Sequence, residues 1–491
     1  MKNLGQKLKI KGWAILAALL VISASGVAQT VIKSDGNKER IVITKNNNTW
    51  KHTSKSGLSS FNIEYKGKIE VTDDDKDIKS ISPGGYLEIS KTTFGSKREI
   101  LVEAASGGSL RREYYEGRTK TEWEPAGRKW LAEILPEIVR STGIAAESRV
   151  DRFFKQGGVD AVINEIGRLD GNYVVAIYGK LLLAKDGLSN NDLKKAIEGI
   201  SNELDSDYYL AEILKDNASR FLKNDATADV YFEAATKIGS DYYATVVLKE
   251  ALDSYKPSAS SLAKIMEASK SIGSDYYQAS LLTRVLELDD LDGELLAEVI
   301  ETTKDVSSDY YQSQILSKAL DKKGLSSSSY NSLIVAVSDV SSDYYMASVF
   351  SKLAENKLDE DVIVKMIDLV DEKLSSDHYA SVVLSKLMQN QDLSSRSVEK
   401  IANAITGLGS SHYASSAIKS ISKNDNLSKE SLISIIKAIG NISSDYYTAS
   451  ALESIAPLVK RSDESVKDAY RAAAKSINSD TYYGRAMRAI D

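Results

Sequence analysis

The side chains with the greatest capacity for specific chemistry belong to a short phrase, Ser-Asp-Tyr-Tyr, that recurs through most of this chain. The Asp of the phrase returns with a constant step of 34 residues, at Asp207, Asp241, Asp275, Asp309, Asp343 and Asp377. Ser411 stands in the Asp position of the next copy, and the series ends at Asp445 and, after a one-residue slip, Asp480. Such a period predicts one supersecondary unit that stacks on copies of itself.

The phrase supports two hypotheses. Stacked copies would align Asp and Tyr side chains at the spacing of packed helices, roughly 8 to 10 Å, and such a row could bind peptide or glycan because Tyr has a rigid face and a polar tip. Alternatively, Asp or Ser caps the start of a helix while Tyr packs between repeats. The structural role is favoured, since aromatic residues at helical spacing usually belong to a core.

The two Tyr positions of the phrase differ. The first position accepts His378, His412 and Thr481, whereas the second position is Tyr in all nine copies. We therefore predict that the second Tyr lies in the core and the first lies at the surface or in a groove. A ligand-binding stripe would consist of first-position tyrosines: Tyr208, Tyr242, Tyr276, Tyr310, Tyr344 and Tyr446.

Two sets of residues are weak metal candidates. His378 and His412 occupy equivalent positions in adjacent repeats, where they could share a metal ion or act as a pH-sensitive pair. Asp73, Asp75 and Asp77 alternate as in the first half of a calcium loop, but the glycine and glutamate that complete the loop are missing. The favoured interpretation is two ordinary histidines and a solvated acidic turn or edge strand, and no metal or cofactor is predicted.

Motifs of catalysis are missing from the sequence. It contains no nucleophile elbow, no phosphate-binding glycine loop, no His-Glu-x-x-His and no dinucleotide fingerprint. Two carboxylates brought together by folding could still form a glycosidase site. The prediction is a protein that is not an enzyme.

The elements that position the phrase are pairs of helices. Four residues after each Asp the side chain is small, as in Ala279, and seven residues after it the side chain is large and apolar, as in Leu282. This spacing predicts one face of a helix of about a dozen residues. A second helix follows, with caps expected at Asp292, Ser326, Ser394 and Ser428. Two helices per period predict an α-solenoid of about nine repeats.

The N-terminal residues carry a different pattern. Four lysines precede an apolar run at 13–24, and small residues follow to Ala28. This pattern predicts a secretory signal peptide at 1–28, with a retained anchor as the alternative, and a periplasmic or secreted mature chain. No later segment has the length of a membrane span, and no cysteine is present to form a disulfide.

The remaining segments predict a chain of the α+β multidomain class. Short alternating apolar runs separated by Gly and Asn indicate a small antiparallel β-rich domain at 29–121. The apolar period then lengthens to that of helices, which indicates a helical adaptor or cap at 122–169, where Pro136 should kink or interrupt the first helix. The repeats occupy 170–491.

The repeat pattern resembles a known group of helical extensions. Its period equals that of tetratricopeptide repeats, but the Trp, Leu-Gly and Pro positions of that family are missing. The Ser-Asp-Tyr repeats are similar to the HEAT-like extensions that follow the peptidase in some bacterial proteins related to β-lactam-sensing metallopeptidases. The resemblance covers residues 60–491 and implies a helical array in an exported, sensory setting. It does not imply peptidase activity, because the zinc-binding motif is missing.

Composition narrows the choice of partner. The net charge is -6 from 63 basic and 69 acidic residues that are interspersed, so the chain lacks the basic patch that nucleic acid requires. Extended repeat surfaces usually bind extended partners, and a protein or peptide is the predicted partner. A glycan or cell-wall polymer is the alternative, and a purely structural spacer is the third possibility.

Overall fold

The computed structural model describes residues 29–34, 40–46, 49–56, 58–254, 258–289, 291, 293–421 and 427–491. The predicted signal peptide at 1–28 and the predicted cap Asp292 lie outside the described residues. Contacts group the chain into two compact units, residues 1–213 and 214–491. Among the described residues, no helix combines the length and the apolar character needed to cross a membrane.

The described part of the first unit contains ten strands. They are β1 (Gln29–Ser34), β2 (Arg40–Asn46), β3 (Thr49–Ser56), β4 (Ser59–Lys66), β5 (Ile69–Val71), β6 (Ile78–Ile81), β7 (Tyr86–Thr93), β8 (Ser96–Ala104), β9 (Leu110–Glu116) and β10 (Thr119–Thr121). Eight form an antiparallel sheet in the order β1-β2-β3-β4-β7-β8-β9-β10, and β5 pairs with β6. The prediction of a small antiparallel β region ahead of the helices is confirmed.

The core of this region lies between one face of the sheet and the first helix. The register places Ile63 opposite Ile89 and Ile89 opposite Ile100, so alternate residues of three strands point to the same side. These side chains form one apolar cluster with Leu131 and Ile138 of the helix. The helix continues through Pro136, so the predicted interruption at this residue does not occur. Burial on both sides of Pro136 offsets the cost of a proline inside the helix, roughly 3 kcal/mol.

Twenty-one α-helices are described. They are α1 (Arg128–Thr142), α2 (Ala146–Ile166), α3 (Asn172–Leu183), α4 (Asn190–Glu203), α5 (Asp207–Phe221), α6 (Asp225–Thr236), α7 (Asp241–Ser254), α8 (Ala259–Ser269), α9 (Asp275–Leu286), α10 (Gly293–Thr302), α11 (Asp309–Ala319), α12 (Ser327–Val337), α13 (Asp343–Leu353), α14 (Glu360–Lys373), α15 (Asp377–Asn390), α16 (Ser395–Gly407), α17 (Ser411–Ile421), α18 (Lys429–Gly440), α19 (Asp445–Lys460), α20 (Glu464–Ala474) and α21 (Asp480–Ile490).

The helices of the second unit form two layers. Each odd-numbered helix from α7 packs on the next odd-numbered helix, and each even-numbered helix packs on the next even-numbered one. The small residue four after the Asp and the apolar residue seven after it are buried, as Ala279 and Leu282 show. Side chains of Ser326, Ser394 and Ser428 cap the second helices. The predicted helix-pair array of about nine repeats is confirmed.

Candidate functional site: an aromatic ladder on the first helices

The two Tyr positions of the repeated phrase form one continuous series of rings in the second unit. The Tyr277 ring centroid lies 5.0 Å from that of Tyr276 in its own repeat and 5.9 Å from that of Tyr242 in the preceding repeat. The same two contacts recur in each following repeat up to Tyr446 and Tyr482, whose centroids are 5.7 Å apart. We call this series the aromatic ladder, and its members are Tyr242, Tyr243, Tyr276, Tyr277, Tyr310, Tyr311, Tyr344, Tyr345, His378, Tyr379, His412, Tyr413, Tyr446, Tyr447 and Tyr482.

The first-position rings of the ladder are exposed. Exposure ranges from 46% at Tyr310 to 55% at Tyr276 and Tyr344, whereas Tyr208 in the first unit is partly buried. Most of the ladder contacts are edge-to-face, an arrangement that contributes about 0.5 to 1.5 kcal/mol per pair. The ladder therefore holds neighbouring repeats together and still presents aromatic surface to solvent.

The second-position tyrosines do not lie in the core, contrary to the prediction. They are partly buried in every copy, because each ring lies against first-position rings instead of entering the space between the helix layers. That space is filled by residues such as Ala279 and Leu282. The constant Tyr at this position is explained by its place between two rings of the ladder.

The two histidines are members of the ladder. Both are exposed, and the Tyr413 ring contacts both, with centroid distances of 5.2 Å to His378 and 4.9 Å to His412. The carboxylate of Asp377 accepts a hydrogen bond from the backbone N–H of Gly409. Within the part of the chain that the structure describes, no group of three or more potential metal ligands converges.

The Asp of the phrase joins consecutive repeats. In the repeat of α11, Asp309 Oδ1 accepts a hydrogen bond from the Ser341 N–H at 3.0 Å, and Oδ2 accepts one from the Ser342 N–H at 2.9 Å. We call this interaction the aspartate clamp. Among the described residues it is seen in at least six copies, whose donor and acceptor pairs are Gly273 with Asp241, Ser307 with Asp275, Ser341 and Ser342 with Asp309, Ser376 with Asp343, Gly409 with Asp377, and Ser479 with Asp445.

The clamp corrects the expected capping role of the phrase. At the starts of α9, α11, α13, α15, α19 and α21, the serine before the Asp makes no capping hydrogen bond through its side chain. The Asp is the first helical residue and bonds to the N–H groups at the start of the next repeat. Its carboxylate is therefore engaged within the array.

Two copies of the phrase vary the clamp. Asn172, in the first unit, replaces the Asp, and its Oδ1 accepts hydrogen bonds from the N–H groups of Asp205 at 2.8 Å and Ser206 at 3.2 Å. Ser411 also replaces the Asp, but among the described residues no clamp joins it to Ser443 or Ser444. A carbonyl oxygen is thus sufficient for the clamp, whereas the shorter serine side chain does not make it.

Charged side chains beside the ladder pair with one another across repeats. Lys352 Nζ lies 2.6 Å from an Asp321 oxygen of the preceding repeat. Equivalent pairs join Arg284 to Asp253, Lys318 to Glu287 and Lys386 to Glu355. Such exposed pairs contribute less than about 1 kcal/mol each to stability. At the site, these charges are thus engaged by opposite charges of the neighbouring repeat.

A groove opens between two consecutive first-position rings. It has a volume of about 300 Å³ and is lined by the rings of Tyr276, Tyr310 and Tyr311, with Ala279 and Gln314 among the other residues. Within the described residues, the hydroxyls of Tyr276 and Tyr310 have no hydrogen-bond partner in the protein. The groove therefore offers aromatic surface and unpartnered hydroxyl donors.

The first unit contains a buried charged cluster that the sequence did not indicate. The Arg149 guanidinium is fully buried, and its Nη2 donates to Asp75 Oδ2 at 2.8 Å and to Glu165 Oε1 at 2.6 Å. Burial alone lowers the pKa of Arg149, but Tyr178 and the carboxylates raise it by more. Burial raises the pKa of Glu165, because it disfavours the charged carboxylate. Hydrogen bonds from Arg140 and Arg149 outweigh this effect, so the pKa of Glu165 is lowered overall. The cluster joins β-region and helical residues, which explains its burial without a ligand.

Two of the three aspartates of the candidate calcium loop form ion pairs with arginines. Asp75 is buried and ion-paired with Arg149 and Arg152, and Asp77 is ion-paired with Arg112 and Arg128. Asp73 is exposed. The carboxylates at positions 75 and 77 are therefore neutralised by arginines rather than directed together at a cation.

Comparison with known proteins adds little to this geometry. No protein-family model matches the chain, and no curated protein matches it. A solved structure from "Computational Design of Self-Assembling Cyclic Protein Homooligomers" is 14% identical over 70% of this chain and 92% of its own, with a TM-score of 0.11. Another, "Circular tandem repeat protein with novel repeat topology and enhanced subunit contact surfaces", is 10% identical over 75% of this chain and 78% of its own, with a TM-score of 0.16. These values support no functional argument, and the relationship to sensor-type extensions stays a prediction.

Proposed function

We propose that this protein is a non-catalytic scaffold that binds an extended protein or peptide segment along the aromatic ladder. The observation that supports the proposal most directly is the continuous row of half-exposed first-position rings. A rigid aromatic side chain gives a large contact area at a low cost in conformational entropy, which is why Tyr is common at the energetic centre of protein interfaces.

The neighbouring charges support the same proposal. The aspartates of the phrase are engaged by backbone N–H groups, and basic residues beside the ladder such as Arg284 and Lys352 are paired with acidic ones. What the ladder offers a partner is therefore aromatic contact and hydroxyl hydrogen bonds. The pattern of residues 1–28 supports a periplasmic or secreted location, where such a scaffold would meet its partner.

The test is capture of proteins from an envelope fraction by the immobilised full-length chain, followed by titration of each captured protein in purified form. We expect the triple variant Tyr276→Ala, Tyr310→Ala, Tyr344→Ala to lose this binding. The matched control is Tyr483→Ala, which removes an exposed tyrosine outside the ladder. Circular dichroism confirms that each variant retains its helices.

Three outcomes would overturn the proposal. Binding of the purified protein that survives the triple substitution would place the interface elsewhere. Ladder-dependent sedimentation with a purified wall polymer, without any protein partner, would make the ladder a glycan-binding surface instead. A spacer role would be indicated if a truncated chain without the repeats kept all binding.

A further inference from the structure

We infer that the partner segment is a proline-rich peptide in the polyproline II conformation, with one turn of the peptide lying on each repeat. The inference rests on the proposed function of the aromatic ladder and specifies the chemistry of the partner. Three features carry it: the spacing of the first-position rings, the unpartnered hydroxyls and the engagement of the charged side chains around the groove.

The spacing of the ladder fits the pitch of this conformation. Consecutive first-position rings lie on adjacent packed helices, which are roughly 8 to 10 Å apart. A polyproline II helix rises about 3.1 Å per residue with three residues per turn, so that equivalent side chains return after about 9 Å. Equivalent side chains of a β-strand return after roughly 6.6 Å, and those of an α-helix after about 5.4 Å. The polyproline II period therefore keeps in step with the rings over several repeats, with every turn of the peptide in the same position on its repeat.

The chemistry of the groove matches the same peptide. Polyproline II has no internal hydrogen bonds, and a proline residue brings an acceptor carbonyl but no N–H donor. The hydroxyls of Tyr276 and Tyr310 can donate to such carbonyls, and the rings beside Ala279 can contact the pyrrolidine rings. Aromatic-lined grooves are a general means of binding this preformed helix, whose ordering cost is low.

The charged side chains that line the groove are already engaged by neighbouring groups. Arg284 lines the groove but is paired with Asp253, and Glu287 is approached by Lys318. Lys249, a third charged residue in the lining, donates to the Ser280 hydroxyl at 2.5 Å. A strongly charged segment would compete with the ion pairs of Arg284 and Glu287, whereas an uncharged proline-rich segment leaves them in place.

The experiment measures binding of fluorescein-labelled oligoprolines to the full-length chain by fluorescence anisotropy. The peptides contain six, nine, twelve or fifteen prolines, and Gly-Ser peptides of equal length are the controls. We expect affinity to rise with each three residues added, because each addition reaches another repeat. The double variant Tyr276→Ala, Tyr310→Ala should weaken binding by roughly tenfold or more, as the loss of central aromatic anchors does. The Tyr483→Ala variant should bind like the original chain.

The possible outcomes distinguish a failure of this inference from a failure of the proposed function on which it rests. If oligoproline fails to bind while a purified protein partner still binds in a ladder-dependent way, the inference is wrong and the proposed function stands. If no ladder-dependent partner is found, the proposed function fails as well. Oligoproline binding that is unchanged in the double variant, or equal to that of the Gly-Ser controls, would also overturn the inference.

Discussion

Removal of a single aspartate clamp should weaken the junction between two repeats, and Asp309 is the best position to test this. Its carboxylate accepts two backbone hydrogen bonds, at 3.0 Å from Ser341 and 2.9 Å from Ser342. Hydrogen bonds to charged groups contribute about 1.5 to 3 kcal/mol, but the clamp is partly exposed, and substitution of comparable capping residues by alanine costs about 0.5 to 2 kcal/mol. We expect Asp309→Ala to cost about 1 to 2 kcal/mol at this junction.

The matched variant Asp309→Asn should cost much less. Asn172 shows that an amide oxygen in this position accepts hydrogen bonds from two N–H groups of the next repeat. The comparison therefore separates the hydrogen bonds from the negative charge. The Asn variant should lose less than about half of what the Ala variant loses, because a neutral acceptor retains the bonds at reduced strength.

The assay is amide hydrogen exchange, because a long repeat array does not unfold in a single two-state step. Exchange at the backbone N–H groups of Ser341 and Ser342 reports the clamp directly, and urea unfolding gives the decrease in the stability of the whole array. In Asp309→Ala, exchange at these two amides should accelerate by roughly tenfold, the equivalent of about 1.4 kcal/mol. Equal effects of the Ala and Asn variants, or unchanged exchange at both amides, would refute the reasoning.

The reciprocal substitution adds a clamp where the chain lacks one. The segment Ser443-Ser444-Asp445 has the same sequence as Ser341-Ser342-Asp343, so its N–H groups should be placed to receive a carboxylate at position 411. Ser411→Asp should stabilise this junction by about 1 kcal/mol and slow exchange at Ser443 and Ser444. A destabilised variant would show that the clamp depends on more than its acceptor.

Three further predictions concern the first unit and the ladder. Asp75→Ala leaves the buried charge of Arg149 short of a partner and should destabilise the first unit by about 3 to 5 kcal/mol in thermal unfolding. Burial lowers the pKa of His52 to about 4, so stability is lost as pH falls from about 6.5 to about 4, because the unfolded chain takes up a proton that the folded chain does not. His52→Phe should remove this pH dependence, roughly 3 kcal/mol in all, from the unfolding free energy. Tyr344→Ala breaks two ladder contacts and should cost about 1 to 3 kcal/mol in urea unfolding, whereas Tyr483→Ala should cost less than about 0.5 kcal/mol.

Each of these has a control or a contrary outcome. Asp160→Ala removes an exposed partner of Lys195 and should cost less than about 1 kcal/mol, so an equal loss in Asp75→Ala would contradict the buried-charge argument. An unchanged pH profile in His52→Phe would assign the acid sensitivity to carboxylates such as Glu165. Equal losses in the two Tyr variants would show that the ladder contacts add nothing to stability.

The repeated sequence by itself determined the local structure of this protein. The 34-residue step predicted the helix pairs, and positions four and seven after the Asp predicted buried residues such as Ala279 and Leu282. Serines such as Ser326 were identifiable as caps because a capping bond reaches only two or three residues along the chain. Periodicity and capping are local properties, so a single sequence displays them directly.

The tertiary structure alone decided which partners the distinctive side chains have. Asp309 bonds to residues 32 and 33 positions away, and Arg149 bonds to Asp75 across 74 positions. The second Tyr, which the sequence assigned to the core, instead lies against two rings of the ladder. Contacts at such separations depend on how the helices stack and how the strands pair, so they cannot be predicted from a short-range sequence pattern. The sequence therefore predicted where the tyrosines recur, whereas stacking decided that their rings meet in a continuous ladder with one half-exposed row.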